Sequence, residues 1–176
     1  MQKLLVMTVI GTDRPGLVES VAACVAEHGG NWLESSMSRL GGQFAGILRV
    51  EVPSEQERGL VSALEALTGK GLHVVVHADQ AQAVSDARRL SLLEVVGHDR
   101  PGIVRQISKT LANEGVNVEE LQTECSSAAM SGESLFKARA RVSIPSSVNV
   151  AELRKNLEKI AEDLIVDISF SEIPPK

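Results

Sequence analysis

Two copies of one short motif contain residue types that could bind a small charged molecule. Residues 11–18 read GTDRPGLV and residues 97–104 read GHDRPGIV, so the motif recurs after 86 positions. In each copy an apolar stripe at helical spacing follows the glycine, which predicts a helix there. The first N–H groups of a helix have no internal partner and suit a carboxylate, while an aspartate suits an ammonium group. The candidate ligand-binding residues are Thr12, Asp13, Arg14, Pro15, Gly16 and Leu17 in the first copy, and His98, Asp99, Arg100, Pro101, Gly102 and Ile103 in the second.

The proline of each motif predicts where the helix begins. Proline is favoured at the first helical position, because its φ angle is already suitable and no backbone donor is needed there. We therefore expect the helices to begin at Pro15 and Pro101, with Gly16 and Gly102 leaving room for a molecule to approach the backbone. A simpler interpretation is that the preceding aspartates only cap their own helices, which requires no ligand. The sequence leaves both interpretations open.

Two asparagines extend the candidate site. Asn31 and Asn117 each follow a glycine-containing turn, at the predicted start of the second strand of their copy. A side-chain amide offers both a hydrogen-bond donor and an acceptor, so it can bind either end of a zwitterion. We expect Asn31 to act together with the first motif and Asn117 with the second.

The motif lies within a longer repeat that predicts two domains of one type. Residues 4–35 and 90–121 align without a gap and are identical at 12 of 32 positions. Hydrophobic periodicity predicts the order strand, helix, strand, strand, helix, strand in each copy. Such an α+β unit forms a ferredoxin-like, four-stranded antiparallel sheet in the order 4-1-3-2, with both helices on one face. We expect domains over residues 1–79 and 90–176, joined by a polar linker over 80–89.

The apolar pattern gives the bounds of the predicted elements. In the first copy, strands are expected at residues 4–10, 31–40, 44–52 and 72–78 and helices at 15–28 and 54–67. In the second copy, strands are expected at residues 91–96, 117–125, 134–144 and 165–171 and helices at 101–114 and 148–163. Both faces of the first strand are largely apolar, so something should cover the helix-free side of the sheet. The companion repeat or a second chain would do so, which leaves a homo-oligomer open.

The repeated segments resemble a known family of regulatory modules. GTDRPGLVESVAACVAEHGGNW and GHDRPGIVRQISKTLANEGVNV are similar to the first strand, turn, helix and start of the second strand of ACT domains, which bind amino acids. A tandem pair is similar to the glycine cleavage system transcriptional repressor family, and the resemblance covers nearly the whole chain. It implies a non-enzymatic protein without a cofactor that senses a small amino acid, glycine above all. It also implies control of transcription through contact with a DNA-binding regulator protein.

Three other classes compete with this interpretation. An enzyme would need a nucleophile or a base held by a second group, and the sequence suggests no such constellation. A regulatory segment of a larger enzyme, such as formyltetrahydrofolate deformylase or the nitrogen-signalling uridylyltransferase, would show truncated ends. Here the first strand begins at about residue 3 and the last ends shortly before Pro174, so we expect a complete chain. A structural dimerisation module that serves a metabolic enzyme stays open.

The composition narrows the function classes. The net charge is −5, and the chain has no tyrosine, one tryptophan and three phenylalanines. A protein that binds nucleic acid directly would need clustered basic residues or stacking aromatic residues, so we expect no direct nucleic-acid contact. No apolar run approaches the roughly 20 residues that span a bilayer, so we expect a cytoplasmic protein without membrane contact.

The cysteines and two of the histidines predict no redox or metal site. Cys24 and Cys125 match neither a disulfide scaffold nor a paired metal spacing, so we interpret them as unreactive thiols. His73 and His77 share one face of a predicted strand, but no third ligand is near them in sequence. We therefore expect both histidines to face solvent.

Two features distinguish the second copy from the first. Lys137, Arg139 and Arg141 alternate with apolar residues, which places three positive charges on one strand face. This stripe is either a docking surface for an acidic partner or a solvated strand face. The predicted hairpin loop at residues 126–133 accounts for six additional residues and is interpreted as a lid or a mobile loop.

Overall fold

The chain folds into two compact units of the same type. The structure is a computed structural model that describes residues 1–79, 88–127 and 134–173. The units comprise Met1–Gln82 and Ala83–Lys176. Most of the predicted linker and most of the predicted hairpin loop of the second copy lie outside the described residues.

Each unit has the predicted order of strands and helices. The first unit consists of β1 (Gln2–Thr12), α1 (Leu17–Glu27), β2 (Asn31–Leu40), β3 (Gln43–Pro53), α2 (Glu57–Ala66), a 3-10 helix (Leu67–Lys70) and β4 (Leu72–Ala78). The second consists of β5 (Arg88–His98), α3 (Ile103–Asn113), β6 (Asn117–Ser127), β7 (Ser134–Pro145), α4 (Val150–Leu164) and β8 (Val166–Glu172). The first strands are longer than predicted at both ends, and the 3-10 helix was not predicted.

The strands form one antiparallel sheet in each unit. The orders β2-β3-β1-β4 and β6-β7-β5-β8 confirm the predicted 4-1-3-2 arrangement. The first and last strands of a unit are neighbours, because Leu5 lies opposite Ala78 and Ser91 lies opposite Glu172. The chain therefore enters and leaves each unit at the same end of its sheet.

The first helix of each unit begins two residues later than predicted. α1 begins at Leu17 and α3 at Ile103, not at the prolines. Gly16 (φ 90°, ψ 2°) and Gly102 (φ 97°, ψ −4°) adopt the left-handed conformation, so neither can belong to a right-handed helix. These angles match the third position of a type II turn, in which proline is common immediately before the glycine. The prediction was wrong because proline is favoured in such turns as well as at helix starts.

Alternation along the central strands separates the core from the helix-free face. Leu5, Met7 and Val9 of β1 are buried in the core of the first unit, and Leu93 and Val95 of β5 are buried in that of the second. Burying one such side chain contributes roughly 1.5–3 kcal/mol. The two cores therefore account for the alternating pattern that predicted the sheets.

The helix-free faces of the two sheets differ in chemistry. In the first unit Ile10, Ile47 and Val75 are 50%, 54% and 52% exposed. The strand registers place Arg139 and Ser169 of the second unit at the positions equivalent to Ile47 and Val75. At these two positions the first face carries apolar side chains and the second carries polar ones.

One buried hydroxyl group in the second unit has no hydrogen-bond partner. Ser91 of β5 is fully buried, and its Oγ is unpaired within the part of the chain that the structure describes. The repeat places Leu5 of β1 at the equivalent position, where the apolar side chain is also buried. An unsatisfied buried hydroxyl costs about 1–3 kcal/mol, so Ser91 weakens the second core.

Replacing Ser91 with alanine should therefore stabilise the protein by about 1 kcal/mol, because it removes the unpaired group with little loss of volume. Differential scanning calorimetry of the full chain would show a higher unfolding temperature. Ser171→Ala on the exposed part of β8 is the matched control and should change stability by less than about 0.5 kcal/mol. A lower unfolding temperature for Ser91→Ala would show that the hydroxyl has a partner.

Candidate functional site

The two Pro-Gly turns place the first N–H groups of α1 and α3 at an open surface. The first backbone hydrogen bonds of these helices run from Ser20 N–H to the Gly16 oxygen and from Gln106 N–H to the Gly102 oxygen. The N–H groups of the residues that precede Ser20 and Gln106 therefore have no hydrogen-bond partner within the helix. A Cβ atom added to Gly16 would meet no atom within 4 Å, so the space in front of that turn is open. The geometry is suited to an anion.

The aspartates of the motifs do not cap their helices. The N-cap positions belong to Gly16 and Gly102, and neither has a side-chain cap hydrogen bond. Instead, the backbone N–H of Asp13 donates to the Gly42 oxygen at 2.9 Å, and that of Asp99 donates to the Ser134 oxygen at 2.9 Å. Both aspartates are thus fixed to the hairpin side of their unit, and the capping interpretation is wrong.

The two aspartate side chains contact equivalent positions that carry different residues. In the first unit an Asp13 carboxylate oxygen lies 2.5 Å from Nε of Arg39 on β2. In the second unit Asp99 interacts with the Cys125 thiol on β6, whose pKa is raised by partial desolvation and then by the nearby Asp99 carboxylate. The 86-residue repeat relates Arg39 to Cys125. A cation therefore partners the first carboxylate, whereas a neutral thiol contacts the second.

The environment of each cysteine disfavours the thiolate. Partial desolvation, followed by the charge and the hydrogen bond of Asp99, raises the pKa of the Cys125 thiol. Burial, followed by the charge of Glu27, raises the pKa of the Cys24 thiol. Since the thiolate is the reactive form, both residues fit the expectation of unreactive thiols.

The arginines and the surroundings of the turns add positive charge. The Arg14 guanidinium donates to the Lys70 oxygen at 2.8 Å, which ties the first turn to the 3-10 helix. Pro101 and Gly102 line an open groove of about 960 Å³ that continues along α3 past Arg105 and Lys109, among other residues. The basic side chains of this groove favour an anion near the second turn.

The asparagines lie far from the turns of their own units. Arg39, which contacts Asp13, is eight positions along β2 from Asn31. At a strand rise of about 3.3 Å per residue, this separation is roughly 26 Å. Cys125 and Asn117 are separated by the same number of positions on β6. The prediction that each asparagine shares a site with its own turn is therefore wrong. The first two strands of each unit run parallel, and the turn follows the end of the first strand whereas the asparagine lies at the start of the second. The two therefore lie at opposite ends of the sheet.

The basic stripe of β7 is neutralised by carboxylates on the neighbouring strands. Its three cations are exposed and share one face of the strand, as predicted, and that face is the helix-free one. The ion pairs are Lys137 with Glu124 at 3.5 Å, Arg139 with Glu94 at 3.6 Å and Arg141 with Glu120 at 3.8 Å. Paired charges give little net positive potential, so the structure favours a solvated strand face over a docking surface for an acidic partner.

The remaining candidate groups form no metal centre in the described part of the chain. His73 and His77 are exposed, as expected, and no group of three metal-ligating side chains occurs among the described residues. None of the helices within residues 1–79, 88–127 and 134–173 is long and apolar enough to cross a bilayer.

Comparison with sequence families shows which family the two units belong to. An ACT-domain profile matches residues 3–77, and a second ACT-domain profile matches residues 87–162. The chain belongs to the ACT-domain family. Each of its two ACT domains coincides with one structural unit and carries one Pro-Gly turn. The resemblance inferred from the repeated motifs is confirmed.

Two solved structures are similar over nearly the whole chain, and a curated relative is similar over about half of it. A crystal structure of an unknown protein from Galdieria sulphuraria is 32% identical and has a TM-score of 0.89, with 99% of this chain and 100% of that one covered. A candidate glycine cleavage system transcriptional repressor is 19% identical with a TM-score of 0.73, covering 99% of both chains, and supports the fold. A UPF0237 protein of Methanopyrus kandleri is 35% identical over 79 residues, or 44% of this chain and 81% of that protein.

Sequence reasoning did not identify the contacts that hold the two aspartates. Arg39 and Cys125 stand at the same offset of 86 as the motifs themselves. Extending the gap-free alignment past residue 35 would have paired them. Their proximity to the aspartates still required the register of the sheet, since about 25 residues separate each pair along the chain.

The left-handed glycines predict a stability cost for any side chain there. Gly16→Ala and Gly102→Ala should each destabilise the protein by about 1–2 kcal/mol, because a Cβ atom is unfavourable at these φ angles. Urea unfolding of the full chain would measure this loss. Gly69→Ala is the control, since Gly69 has no positive φ and a Cβ atom there would meet no atom within 4 Å. Equal stabilities of all three variants would contradict the turn assignment.

The contact between Asp99 and Cys125 predicts how fast the thiol is alkylated. Asp99→Asn should lower the pKa of Cys125, because it removes the negative charge that disfavours the thiolate. At about pH 8 the thiolate fraction would rise, and iodoacetamide should react with Cys125 faster than in the wild type, as measured by peptide mass spectrometry. Asp13→Asn, in the other domain, should leave this rate unchanged. Equal rates in wild type and Asp99→Asn would show that the carboxylate does not act on the thiol.

Proposed function

We propose that this protein is a non-enzymatic regulator that senses a small amino acid at its Pro-Gly turns. The observation that carries the proposal is the repeated geometry of an open helix N-terminus beside a fixed aspartate. The carboxylate of the ligand would accept hydrogen bonds from the first N–H groups of α1 or α3. Its ammonium group would lie near Asp13 or Asp99. ACT domains generally bind amino acids, which supports the same assignment.

The second turn offers the stronger electrostatic site for an ammonium group. Arg39 lies against Asp13 at 2.5 Å, and a guanidinium repels a second cation. Asp99 contacts a neutral thiol, so its negative charge is available to the ligand. Arg105 and Lys109 would attract the ligand carboxylate from the α3 side. The two turns should therefore differ in affinity.

A regulatory role is favoured over catalysis by the chemistry beside the second turn. Beside the second turn, the nucleophile Cys125 interacts with the carboxylate of Asp99. Because Asp99 raises the pKa of the Cys125 thiol, the pair holds the sulfur in its poorly nucleophilic form. A catalytic cysteine would need the opposite shift.

We further propose that the signal is passed on by protein contact. The net charge of −5 opposes direct binding to nucleic acid. We propose glycine as one ligand and a DNA-binding regulator as the partner, as the resemblance of the repeated motifs implies; the likeness in fold to a candidate glycine cleavage system transcriptional repressor agrees with a role in transcriptional control.

A dimerisation module for a metabolic enzyme is the second candidate function. The observation that favours it is the apolar helix-free face of the first domain, where Ile10, Ile47 and Val75 are about half exposed. Exposed apolar patches of this kind mark interaction sites in soluble proteins. Such a module would bind no amino acid, which separates it from the sensor.

Calorimetric titration of the full chain with the twenty amino acids tests the sensor. We expect binding of a small amino acid, and a loss of affinity of at least tenfold in the double variant Asp13→Ala, Asp99→Ala, because a hydrogen bond to a charged group contributes about 1.5–3 kcal/mol. The matched control is Asn31→Ala, Asn117→Ala, which should bind normally. Loss of binding in the asparagine variant alone would place the site at the opposite end of the sheets, and no binding at all would favour the dimerisation module.

A further inference from the structure

The exposed surfaces of α1 and α3 each carry charges of a single sign. The charged residues of α1 are Glu19 and Glu27, and both are exposed. Those of α3 are Arg105 and Lys109, which are also exposed. The second helix of each domain, α2 or α4, carries both signs, which is typical of a solvated helix. The single sign on each first helix therefore distinguishes these two surfaces from the other helices.

The internal repeat shows that the charge is reversed on a surface that is otherwise similar. Glu19 of α1 corresponds to Arg105 of α3, and Ala23 corresponds to Lys109. Both helices also carry a stripe of valine and small residues, at Val18, Ala22 and Ala26 in α1 and at Val104, Ser108 and Ala112 in α3. The two valines are 46% and 43% exposed. Each helix thus presents a shallow, partly apolar stripe beside its charges.

The structure of the single chain does not account for these charges. Within residues 1–79, 88–127 and 134–173, the four side chains form no ion pair, whereas each of the three cations of β7 lies within 3.8 Å of a carboxylate. Arg105 lies in the first turn of α3, where the helix dipole disfavours a cation. Glu27 lies in the last turn of α1, where the dipole disfavours an anion. Local helix stability therefore does not explain either residue.

Charge complementarity identifies a second copy of this chain as the partner of both surfaces. We propose that α1 of one copy packs against α3 of another, so that the acidic helix faces the basic one. In a closed two-fold dimer the contact occurs twice, because α3 of the first copy then meets α1 of the second. Antiparallel packing brings Arg105 to Glu27 and aligns the two helix dipoles favourably. The stripes of valine and small residues supply apolar area beside the charges.

Charge reversal tests the proposal on the full chain in the absence of amino acids. Analytical ultracentrifugation should show a wild-type dimer whose dissociation constant rises at about 1 M salt, where the Debye length is about 3 Å. The double variant Arg105→Glu, Lys109→Glu makes both helices acidic, and Glu19→Lys, Glu27→Lys makes both basic. Each should raise the dissociation constant at least about tenfold, because like charges then face each other.

An equimolar mixture of the two charge-reversed variants is the decisive sample. Each variant alone carries the same sign on α1 and α3, but in a mixed pair every acidic helix meets a basic one. The mixture should therefore form a heterodimer with an affinity close to that of the wild type, measured by sedimentation with one variant fluorescently labelled. Only contact between different chains produces this rescue.

The matched control is Arg58→Glu, Lys155→Glu, which changes the net charge equally but on α2 and α4 and should leave the dimer intact. If circular dichroism shows that the first variant does not fold, Arg105→Gln, Lys109→Gln takes its place and should weaken the dimer without adding repulsion. A monomeric wild type, equal weakening in the control, or a mixture that stays monomeric would overturn the proposal. The proposal does not rest on the amino-acid site, so none of these outcomes bears on the proposed sensor.

Discussion

A glycine at positive φ joins the central strand of each domain to its first helix, and the position of the candidate site depends on it. The left-handed conformation at Gly16 and Gly102 reverses the chain after the strand, and the helix begins at the very next residue. This reversal brings the first N–H groups of the helix close to the aspartate that directly follows the strand. A residue with a side chain would strain the turn and shift both groups. Backbone geometry, more than any single side chain, thus defines where a ligand could bind.

The two domains keep this backbone and differ in what surrounds it. The partner of the aspartate is Arg39 in one domain and Cys125 in the other, which changes the charge beside the turn. The charged residues of the first helix are acidic in one domain and basic in the other. On the helix-free face, Arg139 and Ser169 of the second domain stand at the positions of Ile47 and Val75 in the first. One fold therefore presents two different chemical environments at equivalent positions.

The elements, the sheet order and the buried faces of the central strands were predicted correctly from sequence. The reason is that hydrophobic alternation and the internal repeat can be read directly from the order of the residues. Sequence reasoning misplaced the helix starts, since proline before glycine is compatible with both a helical first turn and a type II turn. It joined Asn31 to the first turn, although the predicted sheet order already makes the first two strands parallel and so places the end of one and the start of the other at opposite ends of the sheet. It left open whether the basic stripe of β7 is a docking surface or a solvated face, because the carboxylate partners of Lys137, Arg139 and Arg141 lie on other strands.

The pairing of the first and last strands has a consequence for how such a chain can arise. Because Leu5 lies opposite Ala78, and Ser91 opposite Glu172, the two ends of each domain lie next to each other. A gene segment that encodes such a domain can be duplicated in frame or inserted into another coding sequence. The added domain then folds beside the existing one without disturbing its chain path. After duplication each copy can fold around its own core, and the two can then accumulate different substitutions. The 86-residue spacing of the motifs is the expected trace of such an event.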